Sequence, residues 1–120
     1  MSSYRWIRHD KMQFSLGDMV YDVAMELLNN WPTAVTKWND DESEHIVPQG
    51  TCHKWATGFR EFANAYSDDE LRKAWKQVRH PLNRTSPGKH EIDELRSRLR
   101  EAAGFLDLVD ENGMTERREP

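Results

Sequence analysis

A cluster of basic residues is the feature of this sequence best suited to binding chemistry. Residues 71–90 contain six lysines and arginines, two histidines and no acidic residue. Because the whole chain carries −4 and this segment +6, the other hundred residues together carry −10. Positive charge segregated in this way on an acidic chain is typical of a surface that faces an anion.

The α-helical period places most of these cations on one side of a predicted helix. At 100° per residue they fall on an arc opposite Leu71, Trp75 and Val78, which we expect to face the core. The arc forms a stripe about 12 Å long at the helical rise. The predicted site for an anionic partner, called the basic face below, adds the following loop and consists of Arg72, Lys73, Lys76, Arg79, His80, Arg84 and Lys89.

Two explanations of the basic face are open at the level of sequence. In the first, it binds an anionic partner, either nucleic acid or an acidic patch on a protein. In the second, its counter-charge comes from the same chain, from residues 40–44 or from a stripe of Asp18, Asp22 and Glu26. The pI of 5.7 argues against general DNA binding, for which a basic domain is usual. A local patch on an acidic protein is better suited to one defined partner.

Histidine and cysteine supply the atoms for a metal site, but their spacing does not. The candidates are His45, Cys52, His53, His80 and His90. Structural zinc sites use short paired spacings of cysteines and histidines, and none of these pairs occurs here. On a helix, Cys52 and His53 would point about 100° apart. We therefore predict no metal site and no cofactor.

Nucleophilic catalysis is the other chemistry that these residue types allow. A thiol near a helix N-terminus, as expected for Cys52, has a lowered pKa. Cys52 also lies on the apolar face of its predicted helix, where a buried thiol is inert. Residues 86–89, Ser-Pro-Gly-Lys, lack the spacing of a phosphate-binding loop. The sequence therefore predicts no catalytic residue, and we expect a protein that is not an enzyme.

The elements that carry these residues are predicted to be helices. Helical periodicity extends over residues 16–30, 51–66, 68–80 and 87–103. A capping residue precedes each of them: Ser15, Thr51, Ser67 and Ser86. Their apolar faces hold most of the aromatic side chains, so we assign these aromatics to a core and not to stacking on bases. Gly58 borders one such face, which predicts close packing of a neighbouring helix there.

The predicted fold class is all-α: an irregular bundle of four main helices plus a short one at residues 33–38, with an extended N-terminal arm. With 120 residues the chain is the size of one domain. Residues 1–14 are the arm, docked through Trp6, and a short strand is an open alternative there. Residues 15–109 are the helical domain, and residues 110–120 a flexible tail. Residues 39–48 are predicted to be an acidic loop, and Glu111-Asn112-Gly113 a turn.

The compartment expected from the sequence is the cytoplasm. The chain has one cysteine, so it forms no internal disulfide, and this is usual in a reducing compartment. No apolar run approaches the roughly 18 residues of a membrane span. The N-terminal residues also lack the apolar region of a secretory signal.

These observations favour a non-enzymatic interaction protein of the inhibitor, immunity or adaptor type. It would bind a specific protein or nucleoprotein partner through its charge-segregated surfaces, with no membrane involved. Its small size, high charge and tryptophan content are typical of accessory proteins from phages and other mobile elements. The alternative is a nucleic-acid-binding regulator or nucleoprotein subunit that uses the basic face over residues 72–89. The oligomeric state is open.

Overall fold

The computed structural model of the protein describes residues 3–29, 44–78 and 86–119. Within these ranges the chain forms four helices and a four-stranded antiparallel sheet. In chain order the elements are β1 (Ser3–Arg8), β2 (Gln13–Gly17), α1 (Asp18–Leu28), β3 (Glu44–Val47), α2 (Gln49–Ala65), α3 (Asp68–Gln77), α4 (Lys89–Asp107) and β4 (Met114–Glu119). The prediction of an all-α helical bundle is therefore wrong.

The strands lie in the order β2-β1-β4-β3, and every neighbouring pair is antiparallel. β1 and β2 form a hairpin whose turn places Lys11 in the left-handed region at φ 76°. The N-terminal arm thus becomes two strands because its side chains alternate between the core and the outer face of the sheet. The expected docking through Trp6 is confirmed, since Trp6 is fully buried.

β4 occupies residues that were predicted to be a flexible tail, and it pairs with both β1 and β3. Its sequence, Met-Thr-Glu-Arg-Arg-Glu, has one apolar residue, so it lacks the alternation that identifies a strand. The predicted turn before it is confirmed. Gly113 has φ 82°, and a Cβ at this position would collide with the carbonyl oxygen of Val47 on β3.

Three helices begin at positions that differ from the predicted ones. α1 begins after Gly17, and the expected cap, Ser15, lies in β2. The N-cap of α2 is Pro48, and that of α4 is Gly88. For α1 the cause is β2, which uses Ser15 in its pairing with β1, whereas α2 begins earlier than predicted, directly after β3 and Pro48.

The capping box before α3 is confirmed. The Ser67 hydroxyl accepts a hydrogen bond from the Glu70 backbone N–H at 3.1 Å, and the Glu70 carboxylate accepts one from the Ser67 N–H at 2.9 Å. Two backbone donors that the helix leaves free are satisfied in this way.

The predicted apolar faces of α2, α3 and α4 are confirmed as core. The ring of Trp6 lies at the centre, with centroids of Trp55, Phe59 and Phe105 at 6.0, 6.2 and 6.5 Å. The close approach predicted at Gly58 is also present, since an added Cβ would lie 2.8 Å from Leu28 of α1. α1 and α2, which were predicted as separate segments, therefore pack against each other and cover one face of the sheet.

Several predicted elements lie outside the described residues. They are the short helix at 33–38 and residues 39–43 of the acidic loop, whereas Glu44–Val47 of that loop form β3. Among the helices in the described ranges, none has the length and apolarity that a membrane span requires.

Candidate functional site

Three residues of the basic face, Arg72, Lys73 and Lys76, lie on α3, which is joined to α4 by an ion pair at its N-terminal end. Asp68, the first residue of the helix, binds Arg96 of α4 at 2.7 Å, and Arg96 also donates to the Ala63 carbonyl of α2 at 2.9 Å. The hydrogen bond from Arg96 lowers the pKa of Asp68, with further lowering from the charges of Lys89, Arg96 and Arg72. One half-buried arginine thus orients α3 against two other helices.

Arg72, the first residue of the basic face, is engaged inside the protein. Its Nη1 lies 3.2 Å from the Asp69 carboxylate, one turn earlier in α3. Its Nε donates to the Pro87 carbonyl at 3.2 Å, just before α4 begins. Arg72 therefore fastens α3 to the start of α4, which is a structural role.

Lys89 is partly neutralised within its own helix. Its Nζ lies 3.4 Å from the Asp93 carboxylate, an exposed i,i+4 pair that contributes little to stability. Three other predicted site residues, Arg79, His80 and Arg84, lie outside the described residues. The structure therefore brings Lys89 close to α3 but leaves the continuity of the whole face as a prediction.

Lys73 and Lys76 are the cations of the basic face that stay open to solvent. Both are exposed and lie one helical turn apart on α3. No ion pair joins either lysine to an acid anywhere in the described ranges, including the acids of α1. Between them in sequence, Trp75 is half-buried and packs against the core.

Some of the acidic residues proposed as internal counter-charge lie in the described ranges, whereas residues 40–43 lie outside them. Within residues 44–47, Glu44 binds Arg117 of β4, with 2.6 Å between its carboxylate and the guanidinium Nε. α1 packs against α3, yet the charges of Asp22 and Asp18 act on Tyr4, whose pKa is raised mainly by burial. The described acids therefore do not neutralise Lys73 and Lys76.

The candidate metal and nucleophile residues that the structure describes are not grouped into a reactive site. In the part of the chain that the structure describes, no three histidine, cysteine or acidic side chains lie close enough to hold an ion. Cys52 is buried, and burial together with the nearby charge of Glu116 raises the pKa of its thiol to about 12. The prediction that Cys52 belongs to the core is confirmed.

A second polar cluster, absent from the prediction, surrounds Glu116 in the middle of the sheet. Glu116 is fully buried, and its Oε1 accepts a hydrogen bond from the indole N–H of Trp6 at 2.9 Å. The hydroxyl of Tyr21 in α1 also interacts with this carboxyl group. The Tyr21 ring stacks on the ring of Tyr4, with centroids 3.7 Å apart.

Burial controls the protonation of this cluster. It raises the pKa of Glu116 from 4.5 to about 7, against the opposing effects of Trp6 and Tyr21. The pKa of the Tyr21 hydroxyl rises far above its ordinary value, chiefly through burial and then through the charge of Glu116. A carboxyl group in such surroundings holds its proton because charging it without water is costly.

The sequence contains only a weak signal for this cluster. A buried tryptophan needs an acceptor for its N–H, and Trp6 was expected to be buried, so an acceptor from elsewhere in the chain was required. No local pattern identifies Glu116 as that acceptor, because 110 residues separate the two.

Comparisons of the chain with known protein families, with curated proteins and with solved structures found no match. The proposed function therefore rests on the exposed surface of α3.

Proposed function

We propose that this protein is a non-enzymatic interaction protein whose exposed α3 surface binds an acidic patch on a specific protein or nucleoprotein partner. The observation that carries the proposal is the pair Lys73 and Lys76, exposed beside Trp75 and without a described counter-charge. An inhibitor, immunity protein or adaptor acts through a surface of this kind. The same proposal places the protein in the cytoplasm.

The three side chains combine two features of binding surfaces. Two lysines one turn apart repel each other and weaken the helix slightly in the unbound protein. An anionic partner attracts both lysines and offsets this repulsion. A half-buried tryptophan is already positioned by the core, so it loses little conformational freedom when a partner covers it. Tryptophan is enriched among the residues that dominate binding energy.

The neighbouring contacts favour a partner of defined shape. Arg72 and Asp69 border the two lysines, so the positive surface is small and ends at an acid. The chain as a whole has a net charge of −4 and would be repelled by an extended polyanion. Attraction is therefore confined to a partner that matches this patch.

The test uses paired charge reversals. The variant Lys73→Glu/Lys76→Glu is compared with Lys11→Glu/Lys54→Glu, which has the same charge but changes exposed lysines outside α3. A pull-down from the native host, with and without nuclease, identifies the partner, and titration calorimetry with the purified partner measures affinity. We expect at least tenfold weaker binding for the α3 variant only. Equal losses in both variants would contradict the proposal.

The alternative function is a nucleic-acid-binding regulator or nucleoprotein subunit. The observation that favours it is the position of Lys89, which lies close enough to Asp68 to contribute to the lowered pKa of that residue, after the hydrogen bond from Arg96. In this alternative the basic face extends from Lys73 and Lys76 to Lys89. A mobility-shift titration tests this function, because each phosphate contact lowers log K by about 0.9 per unit of log salt concentration. Binding without salt dependence would exclude it.

A further inference from the structure

We propose that Glu116 is a proton-dependent latch for β4: as the neutral acid it anchors the strand in the core, and after losing its proton it releases the strand from β1 and β3. This inference is independent of the binding surface on α3. It rests on where β4 lies and on what holds it there.

β4 has few anchors for a strand at the centre of a sheet. Three of its side chains alternate toward the helices: Met114 and Glu116 are buried, and Arg118 is half-buried. Thr115 and Arg117 lie on the other face. Only Met114 attaches the strand to the core by apolar burial. Glu116 is the second fully buried anchor, so its state decides much of the strand's attachment.

The groups around Glu116 come from every element that packs on it. β1 contributes Trp6, its register partner and hydrogen-bond donor. On the other side β3 pairs with β4 through the backbone, with His45 in register with Glu116. α1 contributes Tyr21, and α2 contributes Cys52, whose pKa responds to the charge of Glu116. The remaining charged and titratable groups of the cluster act on Tyr4, and they are Asp22, Arg118 and Asp18.

Trp6 and Tyr21 reach the carboxyl group as neutral donors. They offset part of the cost of a charge at this position, but burial outweighs them and the pKa of Glu116 remains raised, at about 7. When β4 leaves the sheet, the carboxyl group returns to water, where its ordinary pKa is 4.5. The attached strand therefore binds the proton more tightly than the released one, and rising pH favours release.

The consequence for the fold is a sheet that opens at its middle. Release of β4 separates the β1–β2 hairpin from β3 and leaves an unpaired edge on each side. Unpaired strand edges are templates for pairing with another chain. The helices keep their own packing, because α2 and α4 contact each other directly.

Hydrogen exchange of the full chain, followed by mass spectrometry at pH 5.5 and pH 8.5, tests the latch. Protection factors, corrected for the intrinsic exchange rate at each pH, are compared for β4 and α4. We expect protection of β4 to fall at least tenfold between these two pH values. The limit is roughly 30-fold, because the carboxyl group of the released strand has already lost its proton at pH 5.5 and only the interval from there to about 7 contributes. At pH 8.5, protection of α4 should exceed that of β4 by at least tenfold.

Four variants identify the group that causes the pH-dependent fall in protection of β4. Glu116→Gln keeps the shape without the charge and should abolish the fall in protection of β4, whereas the exposed control Glu61→Gln should retain it. His45→Gln should also retain it, which separates Glu116 from its register partner. Tyr21→Phe removes a hydroxyl group that favours the charged form, so it should extend the fall in protection to higher pH. It provides a readout if Glu116→Gln folds poorly.

Three results would overturn the proposal. One is a protection of β4 that does not change with pH in the unaltered chain. Another is an equal fall in Glu116→Gln. The last is equal protection of β4 and α4 at pH 8.5, since the chain would then open as a whole.

Discussion

The exposed surface of α3 and the buried centre of the sheet use charge in opposite ways. Lys73 and Lys76 project into water, where two like charges cost little and remain available to a partner. Glu116 is enclosed by aromatic rings, and its carboxyl group takes its proton from solution because a charge there would be unsolvated. An ionisable side chain is thus a binding element on α3 and a structural constraint at the centre of the sheet.

The difference between the two regions lies in what a neighbour can do to a charge. On α3, water screens each lysine from the acids of the chain, so removing one group should hardly affect the other side chains. Around Glu116, Trp6 and Tyr21 touch the carboxyl directly, and each change alters the protonation of the rest. Mutations should therefore have local, small effects on stability in the first region and coupled, large effects in the second.

The largest expected effect is on the pH dependence of stability. The folded chain keeps the Glu116 proton where the unfolded chain has lost it, so this contribution is complete below pH 4.5 and lost as the pH rises through about 7. We expect the unaltered chain to lose about 3 kcal/mol of unfolding free energy over this range relative to Glu116→Gln. Urea denaturation from pH 4.5 to 8.5 measures it, and parallel curves for the two proteins would remove the distinction between the regions.

The next effect separates two buried tryptophans. Trp6 donates to Glu116, whereas the indole N–H of Trp55 has no hydrogen-bond partner among the described residues. Trp6→Phe should therefore destabilise the protein more than Trp55→Phe, by about 1–2 kcal/mol, because the buried Glu116 carboxyl group loses its hydrogen-bond donor. The difference in unfolding free energy between the two variants should increase from pH 5.5 to pH 8.5 as Glu116 becomes charged. Equal losses in denaturation experiments at pH 8.5 would count against this role of Trp6.

A smaller loss is expected at the boundary between the regions. Arg96 is half-buried and binds both Asp68 and the Ala63 carbonyl. Replacing it in Arg96→Ala should cost about 1–2 kcal/mol, since the Ala63 carbonyl still accepts from Arg100. The thermal midpoint measures the loss, and Arg60→Ala is the exposed control. A loss as small as that of the control would show that Arg96 contributes no more to stability than an exposed arginine.

The smallest effect belongs to α3. Lys73→Ala/Lys76→Ala should change the unfolding free energy by no more than about 0.5 kcal/mol, or stabilise the helix slightly, because a like-charge pair is removed. Circular dichroism during urea denaturation measures this change. A loss above 1 kcal/mol would show that the lysines serve the fold and would weaken their assignment to binding.

Periodicity predicted the helices because their signals are local. Leu71, Ala74 and Val78 identify the buried side of α3, and Ser67 with Glu70 identifies its start. The exposed lysines follow from the same periodicity, since the side opposite a buried face lies in water. The two lysines of the proposed binding surface could therefore be found from the residues alone, whereas Trp75 was assigned to the core.

Apart from a short strand left open in residues 1–14, the strands were not predicted because their signals are not local. Phe14 and Leu16 alternate over only five residues and continue into the helical spacing of α1, so the two periods overlap. In β4 the position of the strand depends on its pairing with β1 and β3, and its sequence resembles a charged tail. Register over more than a hundred residues of separation is not encoded in either segment by itself.

The sequence by itself determined the helices of the domain, their core faces and the segregation of positive charge on α3. Each of these depends on residues within a few turns of one another, for which spacing is sufficient. The tertiary structure decided the sheet, the place of β4 at its centre and the pairing of Glu116 with Trp6. The reason is that burial, and with it the protonation of a carboxyl group, depends on which distant segments exclude water from it.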